Sequence, residues 1–299
     1  MSRIIRRCCT YVVLLIFTGN LSAQVIESNS QRELNFVFEV KQIDEFFERF
    51  NNEQNSLLAS YIRLKYPEVQ MTRSSLLESL FNTEVNGAGS DMIREFCLQV
   101  ADSTNPAYLD FYGGDWYAEA VCKFRLNGQL TEAVVLLKIQ RDGNGGSKWI
   151  IVSAFSRRLG ITSLPVIFPY KPGCCKFLNP MSHATNFISL SRAFRDRINL
   201  SDYLDTGFLE YPYARSFARA VLRNQLEYLY VKSIRYHFLQ IDGWIFTVSQ
   251  YTRKSIHSGW LVGSLRKSTE EEKTRYRTFL FSRIKMNDST GVENTVLGK

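Results

Sequence analysis

The sequence predicts an α+β protein of two tandem modules, each made of helices packed on an antiparallel sheet. Three observations lead to it. Apolar residues recur at helical spacing early in each half. Alternating apolar and polar residues follow, broken by Asn-Gly and Asp-Gly pairs that favour hairpins. Between the halves, 157–182 holds Pro165, Pro169, Pro172 and Pro180, four of the chain's seven prolines, and such a stretch marks a boundary.

In the first half Val40, Ile43, Phe46, Phe47 and Phe50 share one helical face, so 36–50 is expected to form an amphipathic helix. A second helix runs over 57–66 and stops before Pro67, because the residue preceding a proline disfavours helical backbone. Ser75 and Glu78 have capping-box spacing, which places a short helix ahead of Leu80 and Phe81. From 116 to 126 the pattern alternates. Trp116, Ala118, Ala120, Cys122 and Phe124 face one way, and Glu119, Lys123 and Arg125 the other. Asn127-Gly128 turns the chain into a returning strand, 130–140, and the glycine-rich turn 142–146 leads to a third strand, 148–155.

In the second half Phe187, Leu190, Phe194 and Ile198 form a helical stripe, and 215–223 reads as a helix with Phe217 and Val221 on one side. A long strand covers 227–241, Asp242-Gly243 makes a hairpin turn, and 244–253, 259–267 and 275–284 read as three more strands. Residues 270–273 are expected to be an exposed charged connection. The expected divisions are 1–23, a signal; 24–156, the first module; 157–182, a connector that packs rather than swings; 183–286, the second module; and 287–299, a polar tail.

This order of elements resembles the NTF2-like (cystatin-like α+β) fold. The resemblance is carried mainly by 132–155, with its long hairpin, its turn at 142–146 and Trp149 in the closing strand. The chain as a whole resembles exported proteins of Bacteroidetes-type bacteria. The resemblance implies a strongly curved sheet with helices on its concave face. That scaffold serves both pocketed enzymes and non-catalytic binding modules, so it leaves function open.

Residues 1–23 read as a secretory signal. Arg3, Arg6 and Arg7 form a basic start, 11–17 an apolar core too short to span a bilayer, and Leu21-Ser22-Ala23 a small-residue cut site before Gln24. Export to the periplasm, the cell envelope or the medium follows. An intact-mass measurement on the exported protein is expected to begin at Gln24, and a chain that still carries Met1 would refute the signal.

The composition, 45% hydrophobic and 22% charged, is that of a globular protein able to bury a core without disulfide staples. Net charge is +8, and loss of the three signal arginines leaves about +5, scattered along the chain. Scattered charge of that size is a solvated surface, so no nucleic-acid partner is expected. No segment of the mature chain is apolar enough to cross a membrane.

Cys97 and Cys122 sit in apolar surroundings as buried thiols, whereas Cys174 and Cys175 lie in the connector, where oxidising conditions permit a disulfide. The histidines, His183, His237 and His257, have no second ligand at zinc spacing, so neither a metal nor another cofactor is expected. Motifs for nucleophilic catalysis are missing. A dyad of His183 with Cys174 or Cys175 has no support from the flanking residues.

Two concentrations of polar and aromatic residues remain as ligand-binding candidates. Tyr108, Asp110, Tyr112 and Asp115 surround Gly113-Gly114. Their carboxylates could serve as a base beside a tyrosine donor, or they could be ordinary turn residues. His237, Trp244 and Trp260 belong to an aromatic-rich stretch that suits either a ligand concavity or a sheet core. The leading expectation is a non-enzymatic binding or assembly protein whose partner is another envelope protein or a polymer. The alternatives are glycan or lipid binding in a cone-shaped pocket, and a hydrolase or isomerase using an Asp–Tyr or Asp–His pair.

Overall fold

The computed structural model describes residues 37–67, 72–82, 89–141, 145–169, 176–252 and 258–283. The signal, Cys174 and Cys175, His257, most of the turn 142–146 and the tail 287–299 lie outside them.

Among the described residues, helices precede the first strand. Helix α1, Ile43–Asn51, buries Ile43, Phe46, Phe47 and Phe50, and it ends where Asn52 takes the left-handed conformation with φ 56°. Helix α2, Leu57–Lys65, starts at Ser56, whose side chain accepts from the Ala59 amide at 3.2 Å. Helix α3, Arg73–Ser79, starts earlier than expected. Thr72 caps it by accepting from the Ser75 amide, so Ser75 lies inside the helix rather than at its start. Helix α4, Ser90–Val100, has no counterpart in the sequence reading and buries Phe96, Cys97 and Val100.

The strands follow the expected alternation: β1 Trp116–Leu126, β2 Gln129–Arg141 and β3 Ser147–Phe155 in the first half, then β4 Leu226–Phe238, β5 Trp244–Tyr251 and β6 Gly259–Lys267 in the second. Between them stand α5 Leu190–Arg195 and α6 Pro212–Leu222, with short 3-10 turns at Pro180–Thr185, Arg197–Tyr203 and Phe208–Glu210. Asn127 and Gly128 both have positive φ, 50° and 84°, as the tight β1–β2 turn requires.

Two expectations are corrected. The segment 275–284 is not a strand. It belongs to helix α7, Glu270–Ser282, opened by a reciprocal capping box between Thr269 and Glu272. Glu270, Glu271 and Glu272 lie in its first turn, where the helix dipole favours negative charge. Residues 270–273 are therefore helix rather than connection.

The halves also do not carry separate sheets. All six strands form one antiparallel sheet in the order β3-β2-β1-β4-β5-β6. The seam is the pairing of β1 with β4, from Trp116 opposite Phe238 to Leu126 opposite Leu226, with bulges near Val121 and Lys123. Two separate three-stranded meanders would leave β1 and β4 with unpaired edges. Joining them satisfies both rows of backbone groups.

The outer edges are covered by backbone as well. Along β6, the Val40 amide donates to Ser258 O at 3.1 Å and the Trp260 amide to Val40 O at 2.8 Å; the Val262 amide donates to Leu80 O at 2.8 Å. Along β3, the Trp149 amide donates to Leu178 O at 3.2 Å and the Asp205 amide to Ile151 O at 2.8 Å. The connector residue Leu178 is thus tied into the fold, and Val166 and Phe168 pack against the core.

One apolar core draws on both halves and fills one face of the sheet. It includes Phe46, Phe96, Trp116, Phe124, Trp149, Phe217, Tyr236 and Phe246. Within it Trp116 stacks on Phe238 at 5.6 Å and Phe238 on Phe246 at 4.9 Å, linking β1, β4 and β5. The opposite face carries a smaller cluster, Tyr117, Leu136, Ile150, Val152, Leu239 and Ile245, closed by Leu280 of α7.

Candidate functional site

The residues nominated from sequence lie in different settings: core, braced turn and exposed surface. Trp244 is buried, and its indole N–H donates to Gln99 Oε1 at 2.7 Å. Trp260 is buried against the ring of Tyr236 at 5.0 Å. Asp110 belongs to a braced turn: its Oδ1 accepts from the Tyr112 amide at 2.8 Å, and Gln240 Nε2 donates to Asp110 O at 2.8 Å and Gly114 O at 2.7 Å. Tyr108 and Tyr112 are exposed, each beneath a guanidinium, Arg73 at 4.2 Å and Arg141 at 4.8 Å. Asp115, with φ 61°, and His237 both reach a larger polar assembly.

That assembly lies between the sheet and α7. Asp115 Oδ1 accepts from Arg277 Nε at 3.0 Å and Nη2 at 2.8 Å. Burial, with the Asp115 charge adding, pushes the neighbouring Tyr117 hydroxyl up to about 12. One residue earlier on α7, the Tyr276 hydroxyl meets His237 Nδ1 at 2.7 Å. His237 Nε2 stands 3.4 Å from Glu119 Oε2, close but not aligned as a hydrogen bond. Arg283, just beyond α7, donates to the same Glu119 carboxylate.

Glu119 and His237 are only 5% and 3% exposed, so their charges are decided by their partners. Burial alone would raise the Glu119 carboxyl, but the Arg283 guanidinium against it outweighs burial and holds it far below the usual carboxylate range. Burial lowers His237; Glu119 pulls the other way, while Arg283 and Arg235 add to the lowering. The result is an ionised Glu119 clamped to Arg283 beside a neutral imidazole. Both side chains lie under the helix, so the assembly's chemistry is to fasten α7 to β1 and β4. The sequence nominated His237 and Asp115 but none of the α7 residues that join them.

A second cluster was not foreseen. His183 Nε2 lies 2.9 Å and 3.0 Å from the two carboxylate oxygens of Asp44, and Nδ1 lies 2.9 Å from Pro180 O. Trp149 Nε1 donates to the same carbonyl at 2.9 Å. Both ring nitrogens are engaged, Nε2 by the Asp44 carboxylate and Nδ1 by the Pro180 carbonyl. The pair ties the connector's 3-10 turn to α1.

Cys97 and Cys122 are buried free thiols, and burial pushes Cys97 up to about 12 and Cys122 higher still, so both stay protonated. Among the described residues no group of three or more His, Cys, Asp and Glu side chains could hold a metal ion, and no helix is long and apolar enough to cross a membrane.

No known protein family, curated protein or solved structure matches this chain. Its surface therefore has to be read on its own. The connector and the turns after it carry a run of exposed apolar side chains: Ile161, Leu164, Ile167, Phe177, Met181, Ile188 and Ile198. Around these side chains Leu178 pairs with β3, His183 meets Asp44, and Pro165 O accepts from Arg219. This is the candidate interaction surface.

Proposed function

We propose that this is an exported, non-enzymatic binding protein of the periplasm or cell envelope that engages another envelope component through its connector. The halves are read as two NTF2-like repeats, each helices followed by a three-stranded meander, fused at β1 and β4. The carrying observation is the exposed apolar run on an anchored segment. Exposed aliphatics on a braced backbone lose little conformational entropy on binding, which favours a partner site over a solvated loop. The buried histidines support the same reading, since each is committed to a structural partner.

The test is a photo-crosslinking residue placed at Ile167 in the full chain, in its native host, with the same residue at Lys232 on the sheet as comparison. A discrete adduct from position 167 that is missing from 232 is the expected result. Identical patterns from both positions would overturn the reading.

A further inference from the structure

Helix α6 carries an arginine row. Its buried side chains, Ala214, Phe217, Ala218 and Val221, face the core. Arg215, Arg219 and Arg223, spaced four apart, form a row on the opposite side. Among the described residues Arg125 pairs with Glu227, Arg277 with Asp115 and Arg283 with Glu119. Among the described residues none of the three in this row has a carboxylate partner. The Nε of Arg215 is buried and has no hydrogen-bond acceptor among them.

Helix stability does not explain the row. Like charges four apart on a helix repel and destabilise it. The helix dipole favours Arg223 at the C-terminal end but disfavours Arg215 near the start.

The row adjoins the connector's most exposed aliphatics. Arg219 Nη1 donates to Pro165 O at 2.5 Å, which fixes the loop against α6. On that loop Ile161, Leu164 and Ile167 are 62%, 55% and 82% exposed, while Leu159, Val166 and Phe168 pack against the core. The loop thus has an inner anchored set and an outer set of apolar prongs, beside unneutralised guanidinium groups.

We propose that the arginine row of α6 and the loop 161–167 form a docking surface for an anionic phospholipid bilayer. Aliphatic prongs enter the boundary between headgroups and acyl chains, and guanidinium groups bind headgroup phosphates in their forked geometry. Each arginine near an anionic surface tightens binding about fivefold, so three of them with the prongs suffice for reversible attachment. An acidic protein face would match the arginines but offer no apolar phase to Ile161, Leu164 and Ile167. This inference deepens the binding reading and rests on it.

The test is vesicle flotation of the purified chain. Vesicles of phosphatidylglycerol and phosphatidylcholine in equal parts are compared with phosphatidylcholine alone, at low and physiological salt. Binding to the mixed vesicles is expected at least about tenfold tighter, and weaker at the higher salt. Arg215→Gln with Arg223→Gln is expected to lose about thirtyfold, and separately Ile167→Asp about tenfold. Lys232→Gln, on the sheet, is expected to bind as the parent does. Arg223 and Ile167 are exposed, so Arg223→Gln alone and Ile167→Asp keep the test valid if the double variant folds poorly.

Equal binding to both vesicle types, no binding, or variants that bind like the parent would overturn the proposal. So would full competition by inorganic phosphate, which would reassign the row to a free anion. A protein adduct at position 167 without vesicle binding would uphold the binding reading and overturn this one. Vesicle binding without any protein adduct would uphold this one and make the bilayer itself the partner.

Discussion

Gly259→Ala is expected to destabilise the protein by about 3 kcal/mol or more, lowering the melting temperature by about 10 °C. Two costs add. Gly259 has φ +92°, which side-chain-bearing residues rarely adopt, and a Cβ there would lie 2.0 Å from Val40 O and 2.6 Å from Val40 C. The obstruction is backbone, so no rotamer relieves it. Val40 would have to move, breaking its two bonds to β6, at Ser258 O and the Trp260 amide. Val40 is fully buried and leads directly into α1, so the helix that supplies Phe46 and Phe50 to the core would lose its fixed entry.

Gly128→Ala separates clash from strain. Gly128 has φ +84° but nothing within 4 Å of the added Cβ, so only the conformational cost of about 1 kcal/mol applies. Thermal melts of both variants decide the matter. A Gly259→Ala protein that melts with Gly128→Ala would mean that Val40 does not pair with β6.

How far the sequence reveals this fold depends on the range of each signal. The strands are legible because alternation is printed locally. β1 occupies 116–126 as read, and Asn127-Gly128 makes the turn it encodes. The joining of the halves is not legible, because the register of β1 on β4 sets residues more than a hundred positions apart and no local pattern records which edge will meet which. Helix α7 was missed for another reason. Its buried side chains, Lys273 and Leu280, do not make an apolar stripe, since it is held mainly by polar contacts. The signal that could have found it was Thr269 and Glu272, a capping box read instead as a charged connection. The same long range hid the polar clusters: Asp44 meets His183 across 139 positions, and Arg283 meets Glu119 across 164. The exposed apolar connector was visible as composition, but only burial separates Val166 and Phe168 from Ile161 and Ile167.

Acidification is expected to loosen α7 from the sheet in two steps, and the sign follows from Glu119 and His237. His237 is held below its ordinary value in the folded protein. As pH falls past its unfolded value of about 6.5, the unfolded chain binds a proton that the native state resists, so stability declines. Glu119 is also held low, and its contribution is present above the unfolded value of about 4.3 and lost as pH falls below it. Both steps run downward with acid. The other charged groups around His237 are Arg235 on β4 and Arg283 beyond α7. The Tyr276 hydroxyl, pushed up to about 12, stays protonated throughout.

His237→Gln is expected to remove the upper step and leave the lower one. Glu119→Gln removes the lower step, and it also strands the Arg283 guanidinium, whose side chain is only 6% exposed. Losing one partner of a buried ion pair costs about 3–5 kcal/mol even at neutral pH. Thermal melts between pH 8 and pH 3, with near-ultraviolet circular dichroism reporting on Tyr117 and Tyr276, read both effects. Parallel pH profiles for the parent and His237→Gln would show that His237 does not titrate in linkage with folding, and an unchanged melting temperature for Glu119→Gln would show that the Arg283 contact does not hold α7. Since α7 covers Leu136, Ile150, Val152 and Ile245, the lower step should also expose an apolar face of the sheet. A hydrophobic dye is therefore expected to bind at low pH before the far-ultraviolet signal of the strands is lost.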